Sequence, residues 1–264
     1  MKELLHEIRE ERALEWIEDN YPDAEEGTPE WDFASQNYNW MLDDLAEQAE
    51  LQWFQDSLND LDDRYIHAVR ELDELKELVA SEQAGIVFRM AYAHTVTVME
   101  AFLMYSARAL LNDVKHLDRF YSRIAPAFQK KINKCKSEVL NNTQLRPTGE
   151  FSIDEADLKR RTAQLFVSQL TFHNLGNLDK YFSSVLELPY EWPFEPLIYI
   201  VETRQDLVHR NGVSKFDEQV HIGSWHLESA LSNVRAFVDA VALTLRRETG
   251  ASNSLPVVLP RNSF

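Results

Sequence analysis

An almost uncharged apolar stretch near the middle of the chain constrains the fold more than any other feature. The eighteen residues from Met90 to Ala107 contain one formal charge, that of Glu100. This length approaches that of a membrane span, but His94 and Thr95 are among several polar residues that dilute the stretch. A carboxylate at the centre of a bilayer would also be costly. We therefore expect a buried central helix against which other helices pack, and no membrane contact.

The remaining sequence also has helical character. Glycine is scarce, with 7 residues in 264, and alternating strand patterns are nearly absent, so we predict an all-α chain. Ser152 and Glu155 have the spacing of a capping box at the start of a helix. The tail after residue 250 contains prolines and no helical pattern, and we expect it to be mobile. The predicted helices lie at about 3–20, 34–80 (with one interruption), 82–111, 114–136, 154–186, 194–211 and 224–248.

Charge divides the chain unevenly. Residues 1–82 hold 25 acidic and 6 basic side chains, a balance of −19, whereas residues 83–264 hold 19 acidic and 21 basic ones, a balance of +2. Within 108–136 the balance is +6. We predict an acidic helical N-terminal region at 1–82, a helical bundle at 83–250 and the tail at 251–264. The net charge of −17 therefore does not exclude nucleic acid as a partner of the bundle.

Several classes of chemistry find no support in the sequence. Cys135 is the only cysteine, which excludes an internal disulfide and indicates a reducing compartment. The charged N-terminus does not resemble a signal peptide, so we expect a cytoplasmic protein. The histidines are scattered, and we expect no metal site. There is no glycine-rich phosphate loop and no nucleophile elbow, and we expect no cofactor.

Arg204 and His209 form the most informative polar pair. They lie five positions apart near the end of a predicted helix whose apolar positions include Val201 and Val208. Around that helix, Arg204 lies about 60° to one side of Val201 and His209 about 80° to the other, so we expect both to flank the apolar stripe. Gly212 is the expected left-handed residue that ends the helix. The pair can instead be structural, with Arg204 paired to a neighbouring carboxylate and His209 capping carbonyls.

The Arg204–His209 pair before Asn211 and Gly212 resembles the signature of HEPN domains, small helical modules of bacterial RNases, toxins and defence proteins. Ala93–Leu103 resembles the first core helix of that family, and Leu170–Phe182 resembles the helix before the catalytic one. The resemblance covers roughly residues 84 to 249 and implies a HEPN-like antiparallel helical bundle. Gln205 departs from the family, which usually has Asn, Asp or His there, and no tyrosine stands two positions after His209.

This resemblance implies a metal-independent endoribonuclease that works as a homodimer in a toxin or defence setting. Arg204 and His209 would be catalytic, with Glu100, Asn211 and Gln205 supporting them. Alternatives are a catalytically inactive HEPN module that binds RNA or a protein, and a structural helical adaptor. The partners would be RNA and a second copy, and an antitoxin or other protein is a further partner that the acidic region could bind. Candidate RNA-binding residues are Arg119, Arg123, Lys130, Lys131 and Lys134, which can equally line a solvated helix face.

Overall fold

The computed structural model describes residues 12–57, 60–80, 83–141 and 154–258. Regular structure in these ranges is helical, apart from one isolated antiparallel bridge between Val213 and Gln219, which confirms the all-α class. The helices are α1 (12–20), α2 (Pro29–Ser57), α3 (Leu61–Glu77), α4 (Gly85–Leu110), α5 (Val114–Arg123), α6 (Gln129–Asn141), α7 (Glu155–Ser168), α8 (Leu175–Val185), α9 (Glu195–His209) and α10 (Ser224–Glu248).

The chain divides into two compact units, residues 1–56 and 57–264. In the first unit, an aromatic cluster accompanies α1 and α2. The Trp16 ring lies 5.9 Å from that of Tyr21 and 5.4 Å from that of Tyr38, centroid to centroid. Trp40 and Leu45, which lie in the helix predicted at 34–80, are exposed at 59% and 52%. The apolar residues of α2 therefore do not all lie on one buried face.

In the second unit, α4 is the central helix. It packs against α3, α7, α9 and α10, and twelve of its residues are buried. Among the described residues, α4 is the one helix long and apolar enough to cross a membrane by length and composition. Its burial against four other helices supports its interpretation as a core helix, as the apolar stretch predicts.

Several helix ends differ from the predicted ones because local capping decides them. The predicted helix at 34–80 begins earlier, at Pro29, and is interrupted before α3, where Asp60 accepts hydrogen bonds from the backbone of the first turn. Pro126 follows α5 and separates it from α6. The helix predicted at 154–186 is divided into α7 and α8, because Asn174 caps a new helix. Asp154 caps α7; Ser152, the expected cap, lies outside the described residues.

The unit boundary and the tail also differ from expectation. The charge balance placed α3 in the N-terminal region, but α3 packs against α4 and α10 in the second unit. Asp73, Glu74 and Glu77 are exposed, whereas Tyr65, Val69 and other apolar residues are buried. Residues 251–258 are not detached from the bundle, since Leu255 and Val258 pack against its core. The part of the predicted tail that the structure describes therefore contacts the bundle.

Candidate active site

Arg204 lies on the buried face of α9. Ile200 and Val201 are buried, and Arg204 follows them at the i+4 and i+3 positions. Only 15% of the Arg204 side chain is exposed. Val208, which the apolar pattern assigned to the stripe, is instead 49% exposed, and the apolar Ile198 is 53% exposed. The predicted flanking position of Arg204 is therefore wrong, because α9 is turned so that part of its apolar surface faces outward.

Glu100 of α4 connects Arg204 to a histidine. Its Oε2 lies 3.7 Å from Nη2 of Arg204. Its Oε1 accepts a hydrogen bond of 3.1 Å from the backbone N–H of His173 and lies 2.5 Å from Nδ1 of the same residue. The three side chains are each between 15% and 21% exposed. Glu100 therefore lies close to Arg204, and the three side chains form a charged cluster at the edge of the core.

His173 has no counterpart among the residues singled out from the sequence. It lies in the turn between α7 and α8, one residue before the Asn174 cap, and 73 positions from Glu100. No local spacing links two residues so far apart. The only sequence signal is that a turn residue beside a helix cap can point its backbone N–H inward, as His173 does toward Glu100.

Arg204 retains hydrogen-bonding capacity. Its contact with Glu100, at 3.7 Å, is longer than the roughly 2.7–3.2 Å of a hydrogen bond. Within the described parts of the chain, its Nε is buried and has no hydrogen-bond partner. A guanidinium carries five N–H donors in a planar fork that suits phosphate oxygens. The Nη groups, rather than the buried Nε, are therefore the donors that an anion at this edge of α9 can use.

His209 is the last residue of α9 and is exposed. The chain leaves the helix through two successive left-handed residues, Asn211 at φ 52° and Gly212 at φ 81°. The backbone N–H of Gly212 donates to the Asp206 carbonyl at 3.0 Å, which closes the helix end. Gln205 is exposed as well. The last turn therefore presents His209 to solvent.

The cations of the basic segment, residues 108–136, include some that are engaged in contacts within the second unit and some that lie on the surface. Nη1 of Arg119 lies 2.6 Å from Oε1 of Glu248, and Arg119 also pairs with Glu187. Nζ of Lys131 donates to the Gln169 carbonyl at 2.5 Å. Both cations are thus engaged inside the unit. The other three candidate RNA-binding residues remain on the surface, and these are Arg123, Lys130 and Lys134, the last of them 3.7 Å from Glu138.

An apolar groove lies beside the end of α9. It measures about 550 Å³, and its lining includes Leu75, Leu78, Met90 and Val208. Met90 is 65% exposed and Val208 is 49% exposed. Exposed apolar side chains grouped in this way are typical of a surface that a partner covers.

The described residues contain no group of three or more His, Cys, Asp or Glu side chains that could hold a metal ion. Comparison of the chain with protein-family models, with curated proteins and with solved structures finds no match. The interpretation of this site therefore depends on its own geometry.

Proposed function

We propose that this protein is a metal-independent endoribonuclease of the HEPN type, acting as a homodimer in a toxin or defence setting. The observation that carries the proposal is Arg204, whose guanidinium is oriented by Glu100, keeps unused donors and shares a helix with the exposed His209. A fixed positive charge and a proton carrier are the two groups that RNA cleavage without a metal requires.

The reaction assigned to these residues is transesterification within the RNA chain. The ribose 2′-oxygen attacks the adjacent phosphorus, and the bond from phosphorus to the 5′-oxygen of the next nucleotide breaks. Arg204 stabilises the negative charge that develops on the phosphate oxygens. His209 accepts the 2′-hydroxyl proton or donates a proton to the leaving 5′-oxygen. The products are a 2′,3′-cyclic phosphate and a 5′-hydroxyl.

A homodimer follows from the spacing of the two residues. Five helical positions separate Arg204 from His209 by about 7.5 Å along the axis and about 140° around it. One helix therefore directs them poorly toward a single phosphate, whereas a two-fold copy can supply the missing group. The exposed apolar side chains of Met90 and Val208 beside α9 support an interface there. Exposed cations such as Arg123 and Lys130 would hold the RNA backbone.

The second candidate is an inactive HEPN module that binds RNA or a protein, such as an antitoxin held by the acidic N-terminal region. Two observations favour it. The Glu100–Arg204 pair also serves as a plain structural ion pair between α4 and α9. Gln205 is exposed and makes no described contact that would orient the site. The two candidates differ in one respect, which is whether RNA is cut.

The test is incubation of single-stranded RNA with the protein in EDTA, followed by analysis of the product ends. We expect cyclic-phosphate ends from the wild type, and no cleavage by Arg204→Ala or His209→Ala. His209 is exposed, so its truncation opens no core cavity and the melting temperature should not change. His221→Ala, at another exposed histidine, is the matched control and should cleave normally. Wild-type cleavage by His209→Ala, or loss of activity on chelation, would exclude this mechanism.

A further inference from the structure

Arg89 of α4 is a second arginine at the contact between α4 and α9. Arg89 and Glu100 are eleven positions apart, or about three helical turns, so both lie on the face of α4 that meets α9. Glu100 meets Arg204 at one end of this contact. At the other end, a Cβ atom added to Gly212 would lie 3.8 Å from Cδ of Arg89. Arg89 therefore lies beside the turn that follows His209.

The guanidinium of Arg89 has no polar partner in the described parts of the chain. The side chain is half-buried and forms no ion pair or hydrogen bond there. Glu100, the only acidic residue of α4, is about 16 Å away along the helix. Asp206 of α9 pairs with Arg210 instead. Arg70 of α3 also lacks a described ion pair, so position beside the candidate site, and not isolation alone, distinguishes Arg89.

The chemistry of Arg89 favours a phosphate ligand. A half-buried guanidinium has lost part of its hydration and keeps its N–H donors for an acceptor that comes from outside. Its planar fork matches the two free oxygens of a phosphodiester. His209 is exposed at the end of α9, so RNA that reaches His209 brings several phosphates to this turn. Arg204 and Arg89 stand at opposite ends of the helix contact, so within one protomer they would meet different phosphates.

We propose that Arg89 binds an RNA phosphate next to the scissile one, on the His209 side of the cleft. This role rests on the proposed function, because His209 marks the point of cleavage only if RNA is cut there. A contact made equally in the bound substrate and in the transition state lowers KM and leaves kcat unchanged. Arg89 is therefore a substrate-binding residue, and its loss should differ in its kinetics from the loss of Arg204.

Binding is tested with RNA in which every ribose carries a 2′-O-methyl group, so that no 2′-hydroxyl can attack phosphorus. Fluorescence anisotropy of a labelled oligonucleotide, at several salt concentrations in EDTA, gives its affinity for the full chain. Arg89→Gln should bind about tenfold more weakly at low salt. The slope of log affinity against log salt should fall by about 0.7, the value for one lost phosphate contact on a single strand. Arg89→Lys keeps the charge but not the fork, so it should keep the slope and lose less affinity.

Cleavage of unmodified RNA of the same sequence separates binding from chemistry. Arg89→Gln should raise KM about tenfold and leave kcat unchanged, a pattern that general damage to the fold would not give. The matched control is Arg70→Gln, which removes the half-buried arginine of α3. It should leave KM, kcat and the salt slope as in the wild type. Melting temperatures of both variants show that they fold.

Three results would overturn the role of Arg89. These are wild-type affinity and salt slope in Arg89→Gln, an equal loss of affinity in Arg70→Gln, and a fall in kcat with KM unchanged. The first of them, together with normal cleavage by the wild type, would leave the proposed function standing. If the wild type instead binds RNA through Arg89 but cuts none, the phosphate contact is supported and the proposed function fails.

Discussion

Glu100 is the residue on which the candidate site depends. Its two carboxylate oxygens face different partners, Arg204 on α9 and His173 in the turn after α7. A carboxylate in the middle of an apolar helix must be paired or hydrogen-bonded to remain ionised there. The same pairing that stabilises the charge therefore fixes the orientation of the arginine.

Glu100→Gln tests this positioning role. We expect RNA cleavage to slow by about tenfold or more, because a misdirected Arg204 loses transition-state stabilisation of at least about 1.4 kcal/mol. Glu202→Gln removes an exposed carboxylate from α9, 4.0 Å from Lys215, and should cleave at the wild-type rate. A normal rate in Glu100→Gln would show that Arg204 acts without this contact. Circular dichroism of both variants checks that they fold.

The sequence predicts this site only in part. Arg204 and His209 are singled out by their spacing together with the resemblance to HEPN domains, and the cost of an isolated buried charge predicts that Glu100 is paired or hydrogen-bonded. The burial of Arg204 does not follow, because hydrophobic periodicity assigns Val208 to the core and the structure exposes it. His173 could not be found, since its place depends on how a turn packs against α4.

At the scale of elements, the prediction succeeds where helices are long and apolar. The last helix is predicted at 224–248 and observed as Ser224–Glu248. The segment predicted at 154–186 is instead two helices, because Asn174 caps a new helix inside a continuous helical pattern. The single interruption predicted within 34–80 falls before the Asp60 cap. The contact between Glu248 of α10 and Arg119 of α5 cannot be predicted from local sequence patterns, since it joins elements distant in the sequence.

Glu248 joins the end of α10 to α5 and to the segment after α8. Its carboxylate is 2% exposed and accepts hydrogen bonds from Arg119 and from the backbone N–H groups of Glu187 and Leu188. His116 lies 3.2 Å away. Burial alone would raise the pKa of Glu248, but the donors from the backbone and from Arg119 outweigh it and lower the pKa below 4.5. The ionised form therefore stabilises the fold at neutral pH.

Glu248→Gln should lower the free energy of unfolding by about 3 kcal/mol near neutral pH, because it removes the buried charge partner of Arg119 and leaves only the exposed Glu187. Since the pKa is lowered in the folded chain, the contribution is complete above the unfolded value of 4.5 and is lost as pH falls through the folded value. The difference in free energy of unfolding between Glu248→Gln and the wild type should become smaller at acid pH. Urea unfolding at several pH values measures this free energy. Lys115→Gln, at an exposed residue, is the control and should unfold like the wild type. A difference that stays constant with pH would contradict the assignment.

At the scale of the whole molecule, the boundary between the two units, after residue 56, determines which deletion can test whether the acidic region repels RNA. Residues 1–56 carry 17 acidic and 3 basic side chains, a balance of −14, and the remainder carries −3. Charge alone suggested a boundary at 82, but α3 packs into the second unit through its apolar face. Removal of residues 1–82 would therefore take away part of that core.

Deletion of residues 1–56 should strengthen RNA binding at low salt, and the gain should shrink as salt rises. The deletion changes the formal charge by +14, and repulsion between this region and phosphate is screened at higher ionic strength. Circular dichroism and thermal melting must first show that the shortened chain folds. Unchanged affinity at low salt in a folded deletion would mean that the acidic region does not repel RNA.

The central claim is that two copies of α9 complete one site, and a mixture of two inactive variants tests it most directly. After subunit exchange between Arg204→Ala and His209→Ala, each mixed dimer should contain one site with Arg204 from one protomer and His209 from its partner. Random exchange of equal amounts makes half of the dimers mixed, and each mixed dimer has one active site instead of two. About a quarter of the wild-type cleavage rate should therefore return. The control mixes Arg204→Ala with the double variant and should stay inactive. If the first mixture also stays inactive while light scattering shows mixed dimers, the composite site is contradicted.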